Sequence, residues 1–137
     1  MFVKRTAIRV RYAETDQMGV VYYGNYPQYF EVGRVEALRT LGMSYREMEE
    51  GGIMLPVVKL EIQYIRPALY DDLLTIDTRI TEMPSTRITF HHEVFNEEKV
   101  LLTKGLVQLV FLNRSNRRPC KAPEDFLSKI EPYFSGG

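Results

Sequence analysis

The sequence predicts an α+β domain, a five-stranded antiparallel sheet wrapped around one long central helix. Three observations lead there. One stretch, residues 25–42, repeats its apolar side chains at helical spacing over four turns. Five stretches alternate apolar and polar residues at a period of two. The four strands after the helix follow each other through links mostly of hairpin length, which favours antiparallel pairing over β-α-β crossovers. At 137 residues, with no repeat or linker in sight, the chain reads as a single domain.

Each element has a local cause. In "TAIRVRY", residues 6–12, Ile8, Val10 and Tyr12 share a side opposite Arg9 and Arg11, as in a half-buried strand. After the loop 13–24, Asn25 suits an N-cap and Pro27 a first helical turn. Tyr26, Phe30, Gly33, Ala37 and Leu41 then form an apolar stripe, widened by Tyr29 and Leu38, with Glu31 and Arg34 spaced to pair on its flank. A glycine inside the stripe costs roughly 1 kcal/mol against Ala, so Gly33 marks a close approach to another backbone. Gly42 ends the helix, and "SYREMEEGG" adds a short helical or lid element.

Four strands follow. "VVKLEIQYI" places Val58, Leu60, Ile62 and Tyr64 on one face, and "LLTIDTRIT" places Leu74, Ile76 and Ile80 together. "RITFHHEVF" groups Ile88, Phe90, His92 and Val94, and "LLTKGLVQLVFL" groups Leu101, Gly105, Val107, Leu109 and Phe111. The tail "APEDFLSKIEPYF" ends in a helical turn. Five strands around one helix leave open edges, so a homodimer or homotetramer is expected.

Composition narrows the function classes. Eighteen basic residues balance eighteen acidic ones, which gives no global attraction for nucleic acid or an anionic membrane. No uncharged run is long and apolar enough to be a signal peptide or to span a bilayer. The single Cys120 fits a reducing cytoplasm. His91 and His92 are adjacent in a strand and point to opposite faces, so they do not chelate one ion, and His92 reads as a core residue. With no Cys-x-x-Cys, His-Glu-x-x-His or glycine-rich phosphate loop, no metal and no cofactor are expected.

One stretch resists a purely structural reading. "RYAETDQMGVVYYGNYPQYFEVGR" crowds Tyr12, Tyr22, Tyr23 and Tyr26 around a loop whose one aspartate is Asp16. Taken alone, such an aspartate is a turn residue and such tyrosines are core and rim. The longer segment "VRYAETDQMGVVYYGNYPQYFEVGRVEALR", however, resembles hotdog-fold acyl-CoA thioesterases of the 4-hydroxybenzoyl-CoA thioesterase type, which include Tol-Pal-associated members. Tyr12, Asp16, Gly19, Val21, Tyr22, Asn25 and Tyr26 fall on that motif, and the order of elements over about residues 5–130 agrees. The resemblance implies that Asp16 is the catalytic carboxylate, as nucleophile or general base, and that a helix-start amide near Tyr23 polarises the thioester carbonyl. Tyr12 takes a supporting role. Where many Tol-Pal-associated relatives carry histidine, this chain has Tyr23, which disfavours histidine assistance.

The parts suit that chemistry. A thiol leaving group has a pKa of about 8.5 and departs without a strong acid. What remains is to hold an oxyanion at the helix start and to supply an oxygen nucleophile. Gly19 permits a tight turn close to substrate, while Val20, Val21, Tyr22, Asn25 and Tyr26 wall the slot. The substrate implied is a small or medium acyl-CoA, with acyl-carrier protein as a further possible partner. Ser85, Thr86 or Arg87 would meet its nucleotide end, assisted by the basic loop of Arg114, Arg117, Arg118 and Lys121 from this or a neighbouring subunit. Two alternatives share the fold: a non-catalytic acyl-CoA or acyl-carrier-protein binding module, and a dehydratase, which expects a histidine that residues 11–34 lack.

Overall fold

The computed structural model describes residues 1–135. Strand β1 (Phe2–Arg9) leads through two short 3-10 turns, Tyr12–Glu14 and Tyr23–Asn25, into helices α1 (Tyr26–Thr40) and α2 (Tyr45–Glu50). Strands β2 (Ile53–Met54), β3 (Val57–Tyr64), β4 (Leu73–Ile80), β5 (Arg87–Phe95), β6 (Leu101–Val110) and β7 (Leu112–Asn113) precede α3 (Glu124–Ile130) and α4 (Pro132–Ser135). The main sheet runs β1-β4-β5-β6-β3 with every neighbour antiparallel, and β2 pairs with β7 in a small second ladder.

The predicted helical stripe is the buried face of α1. Tyr26, Tyr29, Phe30, Gly33, Ala37, Leu38 and Leu41 are all covered, mainly by β1, β4 and β5. Ile76, Ile80, Ile88, Phe90, Val94, Val107 and Leu109 meet them from the sheet. Gly33 makes this seating possible, but what approaches it is side chains and not the backbone expected: a Cβ there would collide with Thr78 Oγ1 on β4. Gly42 ends the helix at φ +80°, and Ser44 caps α2 by accepting from Glu47 N at 3.1 Å.

His92 belongs to this core. Its ring stacks 4.7 Å above Phe30, and Nδ1 shares a 3.0 Å hydrogen bond with Thr78 Oγ1, while Nε2 has no partner among the described residues. Burial, and then the charge of Arg34, pulls its pKa down to about 3. His91 lies on the other face of β5, as the alternation predicts.

Four further expectations need correction. The first strand is β1, Phe2–Arg9, rather than 6–12. It ends because Val10 turns away to exchange backbone bonds with Asp71 and Asp72, and Tyr12 enters a 3-10 turn. Second, β3 is a poorly covered edge: Val58, Leu60 and Tyr64 are 47%, 44% and 50% exposed. Alternation shows that a strand has an apolar face, whereas α1 lies over the opposite half of the sheet and does not cover it. Third, Arg34 turns inward and donates Nε to Tyr45 Oη at 3.1 Å instead of pairing with Glu31. Fourth, a register shift between Val94 and Phe95 changes the phase of β6, so Leu102 and Thr103 are buried and Leu101 only half so.

Candidate active site

The loop between β1 and α1 is built by backbone hydrogen bonds. Asp16 N donates to Val20 O at 2.8 Å and Gly19 N to Asp16 O at 3.0 Å, closing a tight turn whose last residue, Gly19, has φ +79°. Val20 bridges to Leu69, and Val21 N donates to Ala68 O at 2.8 Å, so the loop docks on the turn between β3 and β4. Asp16 Oδ1 accepts from Met18 N at 2.8 Å, which is the ordinary turn role of an aspartate. Its Oδ2 makes no hydrogen bond among the described residues. One carboxylate oxygen fixes the loop and the other is free for chemistry.

Glu14 joins this loop to the helix. Its carbonyl accepts both Tyr22 N at 2.9 Å and Asn25 Nδ2 at 2.8 Å. Asn25 holds the N-cap position its sequence predicts, but its side chain makes no capping bond and is instead a strut across the loop; its backbone is already helical. The Glu14 side chain is buried, with Oε1 accepting from Arg11 N at 2.9 Å and Tyr29 Oη at 3.0 Å, and Oε2 facing the Arg11 guanidinium at 3.3 Å. Burial, and then the negative charge of Glu14, raises the Tyr29 pKa, which keeps that phenol a donor. Nothing in the periodicity marks Glu14. Its spacing of three from Arg11 is the only local signal.

The helix entrance carries the other half of the site. The 3-10 turn closes with Asn25 N donating to Tyr22 O at 2.9 Å. The N–H groups of Tyr23 and Gly24 meet no backbone acceptor among the described residues. Two unpartnered amides at the start of a helix attract developing negative charge. A cavity of about 270 Å³ opens here, lined by Val21, Tyr23, Tyr26, Tyr64, Ile65, Arg66 and Pro67. Tyr26 is buried in its wall, edge-on to Tyr29 and Tyr64, and burial raises its pKa. Tyr22 stacks obliquely on Tyr23 at 4.5 Å, and both are exposed. Tyr12 is 77% exposed and packs edge-on to Tyr70; its carbonyl accepts from Thr15 next to Asp16.

Asp16, Gly19, Val20, Val21, Tyr22, Tyr23, Asn25 and Tyr26 thus share one end of the sheet. Ser85, Thr86 and Arg87 do not join them. They lie beyond the far end of β4, eight residues or roughly 26 Å away along the strand. There Ala122 N donates to Ser85 O and Phe111 N to Thr86 O, which sets Lys121 and the basic loop beside them.

The loop that carries Asp16 and the helix entrance stand at one end of the sheet, tied together by the Glu14 carbonyl, and that sheet curled on one helix is the hotdog fold. The chain's family and relatives make it a thioester hydrolase of that fold. The chain belongs to the thioesterase-like superfamily, whose family model matches residues 10–130. It is 32% identical over 126 residues to a putative acyl-CoA thioesterase, YneP, of Bacillus subtilis, covering 92% of this chain and 91% of that one. It is 32% identical over 127 residues to the acyl-CoA thioester hydrolase YbgC of Escherichia coli, covering 93% and 95%. Among solved structures, a DHNA-CoA thioesterase from Staphylococcus aureus superposes with a TM-score of 0.84 at 34% identity, covering 98% of this chain and 85% of that one.

Proposed function

We propose that this protein hydrolyses the thioester of a small or medium acyl-CoA to the free acid and CoA, with Asp16 supplying or activating the nucleophile. The observation that carries the reading is the tie that the Glu14 carbonyl makes between the loop, whose Asp16 Oδ2 makes no hydrogen bond among the described residues, and the helix entrance, where the Tyr23 and Gly24 amides meet no backbone acceptor among them. In the general-base form, Asp16 takes a proton from water as the water oxygen attacks the carbonyl carbon. The negative charge formed on the carbonyl oxygen is held by the amides, a contribution of roughly 10²–10³ in rate for one such donor. As the intermediate collapses the C–S bond breaks, the electron pair leaves with sulfur and the thiolate takes up the proton. In the nucleophilic form, Asp16 attacks the carbonyl carbon itself, the C–S bond breaks and CoA leaves as the thiolate; water then hydrolyses the anhydride to the free acid and the Asp16 carboxylate, and the thiolate takes up a proton released in that step. A cavity near 270 Å³ favours a short or single-ring acyl group.

The CoA moiety needs more than one chain. β3 is an exposed apolar edge with no partner on its outer side among the described residues. Antiparallel pairing of β3 with a second copy would cover that edge in a homodimer. It would also bring the partner's Ser85–Arg87 end alongside the Asp16 end, so the CoA phosphates meet Ser85, Thr86, Arg87 and the basic loop across subunits. The single Cys120, free and half-buried, supports a reducing, cytoplasmic setting.

The test is thiol release from a panel of acyl-CoAs, acetyl through palmitoyl plus benzoyl and hydroxybenzoyl, with an acyl-carrier-protein thioester alongside. Turnover of some members that drops at least roughly 10²-fold in Asp16→Asn is the expected result. Turnover that survives the substitution removes Asp16 from the mechanism. Binding without turnover makes the chain a binding module.

A further inference from the structure

The last residue of β3 reaches across to the helix entrance. Tyr64 Oη donates to the carbonyl oxygen of Tyr23 at 2.8 Å, 41 residues away in sequence. Its ring lies edge-on to Tyr23 at 6.5 Å and to Tyr26 at 5.5 Å, and it lines the same cavity. The Tyr23 carbonyl and the Gly24 N–H belong to one peptide unit. A hydrogen bond accepted at the oxygen draws electron density from the nitrogen, which makes the N–H a stronger donor. It also fixes the tilt of that peptide plane, and the plane sets where the N–H points.

We infer that Tyr64 is a positioning residue for the oxyanion donor, aiming and polarising the Gly24 amide through the Tyr23 carbonyl. This rests on the thioesterase reading above and deepens it. It adds to the Tyr23 and Gly24 donors the residue that aims the second of them. It also ties the site to the edge of the sheet, because the residue that orients the turn stands on β3, whose outer side pairs with no strand among the described residues. Pairing of that edge would steady Tyr64 and, through it, the amide.

The experiment compares wild type, Tyr64→Phe and Tyr64→Leu in the full chain, reading kcat and KM by thiol release and the Gly24 amide resonance by NMR. Tyr64→Phe keeps the ring and its packing and removes one hydroxyl. The expected result is a kcat lowered about 5- to 20-fold with KM within about twofold, together with a shifted Gly24 amide nitrogen. Tyr64→Leu should add a rise in KM to a similar loss of kcat. An unchanged kcat in Tyr64→Phe, or a change in KM alone, overturns the inference while leaving the thioesterase reading intact. No turnover by the wild-type chain on any thioester sinks both.

Discussion

Tyr29 on α1 donates its phenol to Oε1 of Glu14 in the loop before Asp16, at 3.0 Å and out of reach of solvent. The same oxygen accepts Arg11 N, so one atom binds the end of the first strand, the loop and the helix together. Removing the donor leaves a buried carboxylate oxygen short of a partner. Tyr29→Phe is expected to lower stability by about 1–3 kcal/mol in urea unfolding. Glu14→Gln should cost less than Glu14→Ala, because its amide oxygen can take the place of Oε1. The two sites should couple in a double-mutant cycle. Additive effects would show that the contact carries no energy of its own.

His92 sets a pH dependence. Its folded pKa of about 3 lies below the ordinary value of 6.5, so between those limits the unfolded chain binds the proton that the folded chain refuses. Stability is therefore complete above about pH 6.5 and is lost as pH falls through the window toward 3, with a slope from this group approaching about 1.4 kcal/mol per pH unit. His92→Gln should flatten that part of the curve while lowering stability at neutral pH. A parallel curve for the variant would assign the acid sensitivity elsewhere.

The open edge makes a prediction about assembly. Leu60 is 44% exposed on β3, and placing a charge there should prevent edge pairing without disturbing the core. Light scattering is expected to show a wild-type dimer or larger assembly and a Leu60→Lys monomer, with thiol release per chain falling at least about 10-fold in the monomer. A variant that keeps the wild-type mass places the interface on another face.

The sequence made the helix and its partners legible because their signals are short-range. The stripe from Tyr26 to Leu41 needs only the 3.6-residue period, and Gly33 declares its close approach by being the wrong residue for an exposed helix. The motif around Asp16 falls in one continuous segment, so the loop and helix entrance are legible together. What stays hidden depends on the order of strands in space. Alternation gives β3 an apolar face but not its place at the edge, beyond the reach of α1. Tyr64 meets Tyr23 only because β3 ends beside the helix entrance. Ser85–Arg87 follows β4 in the chain, and no local pattern tells that this puts it at the far end of the sheet from Asp16. Glu14 hides for another reason: a three-residue turn is too short to leave a period.

That separation of Asp16 from Ser85–Arg87 has a genetic side. If a working site draws on both ends, it is inherited in trans, with each chain donating its carboxylate to one pocket and its phosphate-facing loop to the other. A chain defective at the first end and a chain defective at the second would each be inactive alone. Expressed together they would restore one sound pocket in every mixed pair, the pattern known as interallelic complementation, and a cell carrying both defects would outperform a cell carrying either.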